Sequence, residues 1–193
     1  MELTDLAQAL DGPRATVLID GRSGAGKSTL ATQLGALRPA HIVRLDDIYP
    51  GWDGLDWASD HVRRNLLGPR AIGRPARWRQ WDWNAGEPAG WHEVPGELPL
   101  ILEGVGSLTA ATRRLATLTV WVEADDEVRR SRALARDGEL YVPYWRRWAE
   151  QEATFIARHR PSSLADVLAT PLPAGFSLRP SPASIQKPPG ATP

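Results

Sequence analysis

Short apolar runs recur along the chain, spaced so that one helix fits between successive runs. Ala15–Asp20 (ATVLID) is almost wholly apolar over strand length, the mark of a strand covered on both faces. Between Lys27 and Leu37 the period changes, and Leu30, Leu34 and Leu37 fall on one helical face. HIVRL, His41–Leu45, predicts a second strand, and Trp57–Leu67 a helix stopped by Gly68-Pro69. Arg77–Trp83 alternates as a strand does, and Leu98–Glu103 (LPLILE) and Leu118–Glu123 (LTVWVE) predict two more. Asp125–Arg136 and Pro143–His159 read as helices, the first with acidic residues in its opening turn, where the helix dipole favours them. Short strands alternating with helices predict an α/β fold with a mostly parallel sheet.

At Pro171 the pattern stops. PLPAGFSLRPSPASIQKPPGATP is rich in Pro, Ser, Gly and Ala and carries few large apolar side chains. Such a segment buries too little surface to offset its ordering entropy. The expected organisation is one domain over residues 1–170 and a disordered tail over 171–193.

Composition narrows the function classes. Among 193 residues, 23 acidic side chains balance 23 basic ones, so no basic excess points to nucleic acid. There is no cysteine, which excludes disulfides and thiolate chemistry. No apolar run approaches membrane-spanning length, and MELTDLAQALDGP lacks the cationic-then-apolar order of a secretory signal. A cytoplasmic protein with neither membrane nor nucleic-acid partner is expected, with self-association into a homo-oligomer left open. Nine tryptophans are many for this length. Lysine occurs only at Lys27 and Lys187, so arginine supplies nearly all positive charge.

Lys27 stands inside GRSGAGKST, residues 21–29, which satisfies G-x-x-x-x-G-K-[ST] in full between a predicted strand and a predicted helix. Glycines let the backbone curl so that successive N–H groups face phosphate oxygens. The residues expected to bind nucleotide are Gly21, Ser23, Gly24, Ala25, Gly26, Lys27, Ser28 and Thr29. Lys27 would reach the β- and γ-phosphates as a compact charge, and Ser28 would offer its hydroxyl to Mg²⁺. The following helix presents its positive end to the same place.

Asp46 and Asp47 lie just past the C-terminal end of the second predicted strand, the edge where open α/β sheets bind ligands. They read either as acid–base chemistry for a substrate hydroxyl or as an acidic pair capping a turn before Pro50. Arg129, Arg132 and Arg136 fall three and four apart on one helical face. That face is either an ordinary solvated one or a mobile positive surface that closes over a phosphate.

GRSGAGKST followed by LDDIY resembles the uridine kinase, nicotinamide riboside kinase and phosphoribulokinase group of P-loop kinases. Further blocks follow in that group's order. Trp81-Asp82-Trp83 resembles its aromatic-Asp-aromatic acceptor segment, and Glu103-Gly104 its strand-end carboxylate near Mg²⁺. The run from Arg129 to Asp137 resembles its lid helix, and Arg160–Val167 its closing strand. The resemblance spans residues 14 to 170 and implies a three-layer P-loop NTPase fold with a short helical lid. It implies an ATP- and Mg²⁺-dependent kinase for a small-molecule hydroxyl acceptor. Asp46 would be the base, with Lys27, Arg132 and Arg136 as catalytic charges and Arg132 also touching nucleotide. Ser28 and Glu103 would serve the metal. Asp47, Tyr49, Trp81, Asp82 and Trp83 would line the acceptor side. Asp53 and Asp56 read either as contacts to substrate hydroxyls or as a surface turn, and Trp52 and Trp91 either as pocket walls or as ordinary core.

The acceptor stays open at this level. Asn84–Pro88 stands where uridine kinases place a His/Ser/Arg cluster, so a nucleoside competes with pantothenate, a sugar acid or a vitamin nucleoside. A non-catalytic ATP-binding sensor is the rival from another class. His41, His61 and His159 have no partner spacing and read as structural or exposed.

Overall fold

The computed structural model describes residues 1–138 and 142–182, without the side chains of Arg136 and Asp137. Six strands form one sheet, and a hairpin stands apart from it. The sheet order is β2 (His41–Arg44), β5 (Leu100–Glu103), β1 (Thr16–Asp20), β6 (Leu118–Val122), β7 (Val167–Pro171) and β8 (Phe176–Pro180). All pairings are parallel except β7 with β8.

Strand alternation divides the core. Val17 and Ile19 of β1 pack with Ile101, Val120 and Val122 beneath α1 (Leu3–Ala7) and α2 (Lys27–Leu37). Leu18, Leu100, Leu102 and Trp121 face the other way, toward α3 (Leu55–Val62), Leu66 and Leu67 just before α4 (Gly68–Ala71), and α7 (Trp145–His159). This gives the three-layer α/β sandwich expected, with the central strands β1 and β5 and nearly all of β6 buried on both faces.

The predicted helix at Trp57–Leu67 begins two residues earlier and does not stop at Gly68-Pro69. A π turn, Arg63–Leu67, joins α3 to α4, and the Gly68 N–H bonds the Arg63 carbonyl five residues back. Pro69 needs no donor so near the start of α4, which is why it is tolerated there. The predicted strand at Arg77–Trp83 is β3 (Ala76–Asp82), but it pairs with β4 (Glu87–Val94) in an antiparallel hairpin outside the main sheet. Pro, Gly and charge hide β4 in the sequence. Its one signal is the turn Asn84-Ala85-Gly86, where Gly86 takes φ +68°.

The tail boundary at 171 needs correction. Pro171 closes β7, and Phe176–Pro180 pairs with it as an antiparallel edge strand, with Leu178 buried against the sheet. Alternating Phe176 and Leu178 supply the apolar face that composition averaged away. Residues 183–193 of that predicted tail lie outside the described residues. The remaining α-helices among the described residues are α5 (Ala110–Arg113), α6 (Asp126–Asp137) and α8 (Pro161–Leu164). The closing block, expected as a strand from Arg160, is helical in α8 and becomes a strand only at Val167. Asp166 there accepts bonds from Thr119 N–H at 2.9 Å and its hydroxyl at 2.9 Å, bracing β6.

Candidate active site

The C-terminal ends of β1, β2 and β5 bring together residues far apart in the chain. β1 ends at Asp20 and turns into the glycine loop, whose Gly21, Gly24 and Gly26 all have positive φ. Space also dictates two of these glycines. A Cβ on Gly21 would overlap the carbonyl oxygen of Val122, and one on Gly24 the carbonyl oxygen of Arg129. The loop is therefore threaded tightly between β6 and α6, and Gly26 leads directly into α2.

Lys27 is 8% exposed, and its Nζ donates to the Arg22 carbonyl at 3.1 Å across the loop. Glu103, at the end of β5, is 3% exposed, and its Oε1 is buried without a hydrogen-bond partner among the described residues. Arg44 Nε stands 3.6 Å from that oxygen. Burial pushes the Glu103 carboxyl up. The Lys27 ammonium pulls it back down, the Asp46 charge adds to the rise, and the Ser28 hydroxyl and Arg44 also lower it. Lys27, Ser28 and Asp46 thus all act on the Glu103 carboxyl at this sheet edge, although Lys27 and Glu103 stand 76 positions apart in the chain. A hard cation needs oxygen ligands. A buried carboxylate oxygen without a donor, beside a hydroxyl, fits one.

Asp46 and Asp47 occupy a 3-10 turn, Leu45–Asp47, immediately after β2. Asp46 is exposed and Asp47 half-buried. Burial, then the Asp46 charge, raises the Asp47 carboxyl above the usual range, against the lowering effect of Arg44 and His92. The Trp83 indole N–H donates to the Asp46 carbonyl at 2.9 Å, so the hairpin tip covers this turn. Trp83 packs on Trp52 at 4.9 Å between ring centroids, and Trp52 stacks on Tyr144 at 4.6 Å. An aromatic wall thus stands beside Asp46, and Trp81 is half-buried in the same hairpin.

Several predicted acceptor residues have other work. Tyr49 is 2% exposed, donates its hydroxyl to the Val105 carbonyl at 2.8 Å and packs edge-on against Trp148. It is a core residue, and burial holds its hydroxyl far above its usual range. Asp82 Oδ1 accepts the N–H groups of Asn84 at 2.8 Å and Ala85 at 3.0 Å, capping the hairpin turn. Asp53 forms a two-pronged ion pair with Arg147, and Asp56 pairs with Arg158, fastening α7 at two points. His61, expected as a lone histidine, is buried. Its Nε2 accepts the Arg79 N–H at 3.1 Å, and its ring stacks on Trp57.

The predicted lid arginines divide. Arg132 is exposed on α6. The side chain of Arg136, expected as a catalytic charge, lies outside the described residues. Arg129, by contrast, is 3% exposed behind the loop, with Nε donating to Asp126 at 2.7 Å.

Two residues escaped the sequence reading. Asp20, 1% exposed, accepts N–H groups from Gly21 at 2.7 Å, Gly106 at 3.1 Å and Leu108 at 2.8 Å, binding the glycine loop to the loop after β5. Burial raises its carboxyl to about 6, against the lowering effect of the Leu108 and Gly21 N–H groups, the Lys27 charge and the Gly106 N–H. A polar residue closing an apolar strand just before Gly21 was its one signal. The other is Glu152, on α7, treated below.

Among the described residues no group of three His, Asp or Glu side chains forms a metal cluster, and no helix is long and apolar enough to cross a membrane. No protein-family model matches this chain, and no curated protein matches it. Solved structures do. A possible uridine kinase from Bacillus stearothermophilus superposes with a TM-score of 0.59 at 18% identity, covering 86% of this chain and 96% of its own. A protein designated a fructose transport system kinase, from Silicibacter sp. TM1040, gives 0.53 at 19% identity, covering 82% and 95%. At such identities the likeness speaks for architecture alone: this chain shares the three-layer α/β fold of these two structures, built on a mostly parallel sheet.

Proposed function

We propose that this chain is a kinase that transfers the γ-phosphate of ATP to a hydroxyl of a small, nucleoside-like metabolite. The observation that carries this reading is the convergence of Lys27, Ser28, Glu103 and Asp46 at one sheet edge, with Asp46 exposed beside an aromatic wall.

In this reading Asp46 accepts the acceptor's hydroxyl proton while the acceptor oxygen forms its bond to the γ-phosphorus and the bond to the ADP oxygen breaks. Lys27 balances charge on the phosphates. Ser28 and Glu103 would hold Mg²⁺, which when bound supplies charge neutralisation across the β- and γ-phosphates. Arg132 approaches from α6 as the lid closes. Trp83 and Trp52 offer indole faces to a flat ring or to the apolar side of a sugar.

A purified-protein assay of ADP release across a panel of nucleosides, sugars, sugar acids and pantothenate tests the reading. Stimulation by one acceptor class is the expected result. ADP release that no acceptor stimulates favours the non-catalytic sensor instead.

A further inference from the structure

The helical pattern of WRRWAEQEATF puts Trp148, Glu152 and Phe155 on the buried face of α7. A carboxylate on such a face is anomalous, because Glu is almost never fully buried unless paired. Glu152 is 0% exposed. Its Oε1 accepts the backbone N–H of Ser23 at 2.8 Å and the indole N–H of Trp148 at 3.0 Å. Its Oε2 accepts Arg22 Nε–H at 3.1 Å, and Arg129 Nη1 lies 3.9 Å away. The Trp148 indole N–H is also 2.9 Å from Ser23 Oγ. Arg22 reaches onward to Asp126 of α6 at 3.6 Å.

One buried carboxylate therefore ties the second and third residues of the glycine loop to α7 and, through Arg22, to α6. Stability alone does not call for it, since an apolar side chain on that face would avoid the cost of desolvating a charge. What Glu152 adds is specific to the loop. Convergent N–H dipoles and Lys27 make the loop electropositive, and a negative charge behind it offsets their mutual repulsion. The Ser23 N–H bond also fixes the peptide plane at the loop's turn.

We propose that Glu152 is a positioning residue that holds the phosphate loop in its nucleotide-receiving shape, so that binding costs little loop ordering. The proposal rests on reading residues 21–29 as a nucleotide site.

The test compares the full-length wild type with Glu152→Gln, titrating each with Mg²⁺ and a non-hydrolysable ATP analogue by calorimetry. Trp148 emission, isolated by difference from Trp148→Phe, is followed in parallel. Glu152→Gln is expected to weaken analogue binding by about 10- to 100-fold, the worth of a charge-assisted hydrogen bond. KM for ATP should rise more than kcat falls, and the Trp148 emission should shift. An unchanged affinity and emission in a folded Glu152→Gln overturns the role of Glu152 alone. Absence of analogue binding by the wild type overturns the reading of the loop itself. If Glu152→Gln does not fold, amide exchange of the wild type decides. A Ser23 N–H protected before nucleotide is added supports the proposal, and exchange at the free-peptide rate overturns it.

Discussion

Trp83 donates its indole N–H to the main-chain carbonyl of Asp46, 37 residues earlier in the chain, at 2.9 Å. That bond joins the hairpin to the turn after β2 and sets an aromatic face beside the carboxylate proposed as the base. The contact uses the backbone of Asp46, which leaves its carboxylate chemistry to be tested separately from its position.

Asp46→Asn is expected to keep nucleotide affinity while lowering transfer by about 10²- to 10⁴-fold, the usual contribution of a general base. Trp83→Phe keeps an aromatic ring but removes the donor, and is expected to raise KM for the acceptor more than it lowers kcat. Calorimetry for nucleotide and steady-state kinetics for acceptor check both. Normal turnover by Asp46→Asn removes that residue as the base.

Gly24→Ala puts a methyl group into the Arg129 carbonyl at a φ of +78°. Strain of about 1–3 kcal/mol is expected for such a conformation, before any displacement of α6. The variant should melt at lower temperature and bind the ATP analogue weakly. Wild-type values for both would show that the loop and α6 are less tightly joined than their packing indicates.

Asp20 gives a pH dependence of unusual sign. Its carboxyl is raised to about 6 in the fold, from an ordinary 3.8. Between those values the folded state holds a proton that the unfolded chain lacks, so Asp20 adds stability as pH falls from about 7 to 4. Acid-labile ion pairs elsewhere act in the opposite direction, so the comparison must be with Asp20→Asn. The stability difference between wild type and variant should move toward the wild type on acidification, by on the order of 3 kcal/mol at most. Denaturant titrations at several pH values between 4 and 7 measure it, and a pH-independent difference contradicts the buried titration.

Asp53→Ala separates an acceptor contact from an exposed ion pair. Asp53 is engaged with Arg147, and both side chains are more than half exposed. Such pairs contribute little to stability. Little change is expected in Tm and in acceptor KM, read by calorimetry and kinetics. A large rise in acceptor KM would restore Asp53 to the acceptor site.

The conformation of the glycine loop was legible because its demands are local: glycines for positive φ, and a strand and helix adjacent in sequence. The place of Glu103 at a strand end was legible for a similar reason, since a carboxylate ending an apolar strand stands out. The partners of Tyr49, Asp53 and Asp82 were not legible, because a polar group near a motif has the same letter whether it meets substrate, a backbone group or an arginine. The strand at Phe176–Pro180 was missed because an edge strand needs only one apolar face, here Phe176 and Leu178, inside a Pro-rich segment.

The sequence by itself determined the α/β layering, the glycine loop and the order of the blocks that follow it, because periodicity and loop chemistry are written in neighbouring residues. Only the tertiary structure decided which charges meet. Glu152 reaches Ser23 across 129 positions, and Asp20 holds Leu108 across 88. Ion pairing and burial depend on distance in space. That distance is fixed by how β1, β5 and α7 pack, not by spacing along the chain.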